Sequence, residues 1–142
     1  MSQPTIVDKS VQHAKEWFKE LSDYPGIGDE QRAYHALRAS LQELRDRLSV
    51  EEAADLGAQL PTLIRGIYYE TYEPAKSPTR KHREAFLQGV SERIDTQLNM
   101  DPEAAVTATF ALLSRHVTSG ELEDVRHMLP KDLRSLWPDV AA

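Results

Sequence analysis

Three charged residue types recur at matching places in the two halves of this chain. Glu52, Asp55 and Arg65 stand in the first, and Glu121, Asp124 and Arg134 in the second. Guanidinium groups have two chemical uses in such a setting. They can hold an external anion, or they can grip a carboxylate of their own chain in a two-pronged fork. The second use makes a tie: Arg65 reaches back to Asp55 or Glu52, and Arg134 to Asp124 or Glu121. Recurrence favours the tie, because a binding site is usually kept once and a joint twice.

Binding chemistry is better sought where the halves differ. After Tyr68 the first half continues Tyr69-Glu70-Thr71-Tyr72-Glu73, whereas the second half meets Pro138. Tyrosines crowded this closely cannot all face one core, and an exposed ring is apolar at one end and polar at the other, as recognition surfaces favour. The plainer reading buries Tyr68 and uses Tyr69 and Tyr72 to cover a joint. Lys76, Arg80, Lys81 and Arg83 follow, a basic run in an acidic protein, placed where a helix begins and where cations oppose the helix dipole. Tyr69, Tyr72, Lys76, Arg80, Lys81 and Arg83 are therefore the candidate interaction surface for a phosphate group or an acidic partner. A solvated linker balanced by Glu70, Glu73 and Glu84 is the alternative.

Other chemistry finds no foothold in the sequence. The five histidines form no His-x-x-x-His pair, and no Glu-x-x-His set recurs on helices. Asp124 and His127 have helical ligand spacing, but the matching first-half positions are Asp55 and Ala58. There is no cysteine, no glycine-rich phosphate loop and no Gly-x-Ser-x-Gly elbow. The expectation is no catalytic residue, no cofactor and no metal.

The elements that must position these residues are organised around Ser49 to Glu73. Ser49 and Glu52 make a Ser-x-x-Glu capping box that starts a helix. Ala53, Leu56 and Leu60 continue it until Pro61, which disfavours helix at Leu60 yet suits the start of a new one. Two short helices with a Leu60-Pro61 corner follow, the second carrying Leu63, Ile64, Ile67 and Tyr68. The same text returns 69 residues later as Thr118, Glu121, the Leu129-Pro130 corner, Leu133, Leu136 and Trp137. Trp17 falls on Phe86, Leu37 on Val106 and Leu44 on Leu113 in the same register. Apolar coincidences follow from any two amphipathic helices; the cap, the corner and the arginine do not. The reading is an internal duplication, 5–73 and 79–138, joined by a linker at 73–78.

The run LPTLIRGIYYETYEP, the basic link, EAFLQGV and the closing LPKDLRSLWP together resemble the bacterial domain-of-unknown-function family numbered 2267. The resemblance covers nearly the whole chain. It implies an all-helical fold and brings no established biochemical role with it.

Composition sets the remaining bounds. At 142 residues the chain suits one domain, 1–142, that buries roughly 70% of its unfolded surface. The absence of cysteine fits a reducing compartment. No secretory signal opens the sequence, and no stretch approaches the ~20 apolar residues of a membrane helix. A cytoplasmic protein with no membrane partner is expected. The net charge of −6 argues against general binding to nucleic-acid backbones.

Along the chain, Thr5 with Asp8 starts a helix whose stripe is Val7, Val11, Ala14, Trp17, Phe18 and Leu21. It ends near Asp23, before the turn 24–28. Asp29 caps a second helix with Ala33, Leu37, Leu41, Leu44 and Leu48 as its seam. In the second half Phe86, Leu87, Val90, Ile94 and Leu98 stripe one helix, and Asp101-Pro102-Glu103 opens another. No two-residue alternation suggests a sheet. The fold expected is all-α: eight helices as two tandem four-helix repeats, packed about a pseudo-twofold axis into one bundle-like domain. The leading functional expectation is a non-enzymatic module that binds another protein or itself. A small-molecule carrier or enzyme with a pocket between the halves is the first alternative, and nucleic-acid binding through the basic link the second.

Overall fold

The computed structural model describes residues 3–138. Among them the chain forms eight α-helices and no strand: α1 (Ile6–Ser22), α2 (Glu30–Arg45), α3 (Val50–Ala58), α4 (Thr62–Tyr69), α5 (Arg83–Arg93), α6 (Pro102–His116), α7 (Ser119–His127) and α8 (Lys131–Arg134). Single 3₁₀ turns at Pro74–Lys76 and Thr96–Leu98 interrupt the two longest connections.

Helices α1, α2, α3, α6 and α7 start where an N-cap side chain satisfies a free backbone donor, whereas α4 and α8 start at a proline corner. Thr5 and Asp8 cap α1 reciprocally. Asp29 accepts from the Arg32 amide at 2.7 Å, and Asp101 precedes Pro102 at the head of α6. α3 and α7 begin and end 69 residues apart at both termini, and Pro61 and Pro130 share one backbone conformation (φ −57 and −56, ψ 151 and 152).

The capping boxes expected at Ser49 and Thr118 are only half made. Ser49 and Thr118 accept from the amides of Glu52 and Glu121, but neither glutamate reaches back. The Thr118 amide instead donates to Gln59 Oε1 at 2.9 Å. Both glutamates turn inward, where α3 meets α7.

α2 is the central helix. It packs against α1, α4, α5 and α6, and ten of its residues are buried, Gln42, Glu43 and Arg45 among them. Its contact with α6 includes small residues: Thr109 Oγ1 donates to the Ala36 carbonyl at 3.5 Å. The core around this axis runs from Trp17, Leu37 and Leu41 to Phe86, Phe110 and Trp137. Trp137 stacks on Phe110 with centroids 4.0 Å apart, and Tyr68, at the matching position of the first half, is fully buried with its hydroxyl on the Ala53 carbonyl.

Three expectations are corrected. The α1 stripe is covered only from Ala14 onward; Ile6 and Val7 are 78% and 66% exposed, and Val11 is also exposed. Leu63 on α4 is exposed as well. α5 stops at Arg93 rather than running to Leu98, because Asp95 turns its side chain onto the Gln97 amide and seeds the 3₁₀ turn instead.

Candidate functional site

The repeated arginines do not bind the repeated carboxylates. Arg65 Nε donates to the Gly57 carbonyl at 2.8 Å, and Nη2 to Ala58 and Leu60 at 3.2 and 3.0 Å. Arg134 Nε donates to Arg126 and Leu129 at 3.0 and 3.1 Å, and Nη2 to His127 at 3.4 Å. Both guanidiniums thus cover the last carbonyls of the helix before the corner, which lack intrahelical donors and carry the negative end of the dipole. Asp55 and Asp124 are exposed, although one oxygen of Asp124 lies near Glu52 and Glu121.

Glu52 and Glu121 have a different fate. One carboxylate oxygen from each of Glu52, Glu121 and Asp124 lies within 4.8 Å of the others. Oε1 of Glu52 and Oε1 of Glu121 are buried without a partner. Burial, then the hydrogen bond with Glu52 and the charges of Glu52, Asp55 and Asp124, push Glu121 up to about 8. Like carboxylates at this distance share a proton. These three residues are also the set among those described that could ligate a cation. Residue spacing hid them, since their two contributing helices lie 69 residues apart.

The larger charged assembly lies at the C-terminal end of α2. Glu43 is the hub: Oε1 accepts from Arg93 Nε at 2.9 Å and Oε2 from Lys81 Nζ at 3.3 Å, with Arg47 Nη1 3.5 Å from Oε2. Arg93 also holds Gln42 and Asp46 at 2.9 and 3.0 Å. Its seat depends on Gly89, where a Cβ would lie 2.5 Å from the Glu43 carboxylate. Beside it Arg45, 1% exposed, donates to Asp46 and to the Tyr68 and Glu70 carbonyls at 2.8 and 2.7 Å. That grip faces a left-handed turn at Thr71 (φ 64), a conformation costing a non-glycine residue about 1–2 kcal/mol.

The tyrosines serve this assembly. Tyr72 lies under Arg45, 5.0 Å from guanidinium to ring centroid. Tyr69 is half-buried over Gly57, whose missing Cβ would meet its hydroxyl at 2.4 Å. Lys76 pairs with Glu73, Lys81 with Glu43 and Arg83 with Glu103, and Arg83 also reaches Ser135. The Thr79 amide is docked on the Asp46 carbonyl. Arg80 is exposed and has no such partner among the described residues.

Arg47 is the residue the sequence reading missed. It is 6% exposed, yet Nε and Nη1 have no hydrogen-bond partner. Burial lowers its pKa, against the opposing pull of Glu43 and Asp46. It lines a cleft of about 140 Å³ with Thr79, Arg80, Lys81, Met128 and Pro130, and a second of about 320 Å³ with Lys76, Ser77, Thr79 and Arg93. The signal was present in QELRDRL: Glu43, Arg45 and Arg47 of the first half fall on Leu112, Ser114 and His116 of the second.

An all-helical, single-core protein with a buried charged cluster under a basic loop is the class these features define. Within that class the chain belongs to the family described as "Uncharacterized conserved protein (DUF2267)", whose model matches residues 14–136. The comparison with curated proteins returned no match. Among the described residues no helix is long and apolar enough to cross a membrane.

Proposed function

We propose that this protein is a non-enzymatic binding module, built from one duplicated four-helix unit, that docks an acidic segment of another protein. The docking face is the link from Lys76 to Lys81 together with the α7–α8 corner. The observation that carries the reading is the cleft where Arg47, Arg80 and Lys81 meet the exposed Met128 and the buried Pro130. Positive charge beside an apolar floor complements a short acidic segment, and the charge speeds its encounter. Tyr69 packs over Gly57 and Tyr72 under Arg45 rather than on this face, and Arg65 and Arg134 hold the corners. A labelled glutamate-rich peptide is expected to bind the intact chain, more weakly as salt rises, and to be lost with Arg80→Glu. Equal binding by that variant, or binding indifferent to salt, overturns the reading.

Self-association is a second reading, favoured by the uncovered start of α1. Ile6, Val7 and Val11 continue the core stripe with nothing over them, and a second copy would cover them. Sedimentation of the chain and of Val7→Glu tests it; equal mass for both rejects it. Nucleic-acid binding has less support, since the net charge of −6 disfavours binding along a phosphate backbone.

A further inference from the structure

Buried donors without acceptors occur at one charged residue of the assembly, and their surroundings define a ligand. Arg45, Arg47, Lys81 and Arg93 face only two carboxylates, Glu43 and Asp46. Glu43 already accepts from Arg93 and Lys81, and Asp46 from Arg93 and Arg45. Among the described residues Nε of Arg47 has no acceptor, and Nη1 makes no hydrogen bond, lying 3.5 Å from Glu43 Oε2. An unmade hydrogen bond from a buried charged group is costly, so this geometry suits a guanidinium that receives its acceptor from outside. Arg47 also lines a cleft with Arg80 and Lys81 on its wall. A water needs roughly 10–15 Å³ of such space, and the cleft's 140 Å³ admits a polyatomic anion.

We infer that Arg47, with Arg80 and Lys81, forms a site for a phosphate-type oxyanion. A tetrahedral dianion matches the cluster's excess of positive charge, and its several oxygens can accept from more than one guanidinium or ammonium donor at once. The site is particular to the first half, because the position matching Arg47 is His116, which is engaged with Glu20 and packed, tilted, against Trp17. The inference rests on the reading of this face as the docking face, and supplies it with an anchor: the docked acidic segment carries its charge as a phosphoryl group.

Inorganic phosphate is the probe, titrated into the full chain at constant ionic strength with chloride as the balancing anion. Saturable shifts of the Arg47 Nε–H and of the Thr79 to Lys81 amides are expected, with a melting temperature that rises with phosphate. Arg47→Met, which keeps the buried stem, is expected to fold and melt in chloride at least as high as the parent while losing the phosphate response. Arg80→Ala is expected to weaken phosphate about tenfold, and it decides the matter should the Met variant not fold. Linear shifts equal to those with chloride, or an unchanged response in Arg80→Ala, overturn the site. Phosphate binding with no glutamate-rich peptide bound leaves the anion site standing and removes the wider docking reading. Peptide binding lost with Arg80→Glu but no phosphate response does the reverse.

Discussion

A guanidinium with three carbonyl acceptors behaves differently from one paired with a carboxylate, and Arg65 shows how to tell them apart. Replacing it by leucine leaves the Ala58 and Leu60 carbonyls without this donor and the Gly57 carbonyl with the Leu60 amide alone. The expected cost is about 2 kcal/mol, a melting temperature lower by about 6 °C. Asp55→Ala should change stability by less than about 0.5 kcal/mol, because that carboxylate is solvated. Equal losses in the two variants would restore the ion pair the sequence suggests. Glu121 makes a second residue-scale test. Its folded form keeps a proton up to about 8, well above the ordinary glutamate value of 4.5. The folded state therefore binds more protons between those values, and stability falls as pH rises through the window and levels off above it. Urea midpoints at pH 5, 6.5 and 8.5 should decline for the parent and decline less for Glu121→Gln; parallel curves would place the titration elsewhere.

At the scale of elements, helices are set together by where side chains are missing. Gly89 lets α5 lie against α2 because the Glu43 carboxylate fills the space of its Cβ. Gly89→Ala must displace a carboxylate held by Arg93 and Lys81, at an expected cost of about 2 kcal/mol. Gly66, in α4, has nothing within 4 Å of its Cβ position, so Gly66→Ala should stabilise by up to about 1 kcal/mol through helix propensity. Thermal melts of the two variants should move in opposite directions. Helix existence, caps and corners were legible because they follow from local chemistry: Thr5 with Asp8, Asp29, Asp101-Pro102, and proline at 61 and 130. The far end of α5 was not, since apolar spacing continues through Ile94 and Leu98 while Asp95 breaks the helix. Nor was the candidate site, apart from Arg80 and Lys81. Arg47 and Glu43 read as the polar side of an amphipathic helix, and only the packing of α5 and the link over that side buries them.

The whole molecule poses the question of whether either set of four helices can stand alone. α2 is buried on faces that look toward α1 and α4 in its own half and toward α5 and α6 in the other. A fragment of residues 1–78 would expose the α5- and α6-facing sides, including Leu37, Leu41 and the charged end at Glu43. It would also open the seam where α3 meets α7. Burial supplies roughly 25 cal/mol per Å² of apolar surface, and short helices such as α3 have no stability of their own to offset that loss. Fragments 1–78 and 79–142 should each show weak helical signal and no cooperative melt, and an equimolar mixture should recover both, because the halves are joined by helix-to-helix packing of α2 on α5 and α6 and of α3 on α7. A cooperative transition in either fragment alone would mean that each half closes its own core, and the single shared interior inferred from the duplication would have to be abandoned.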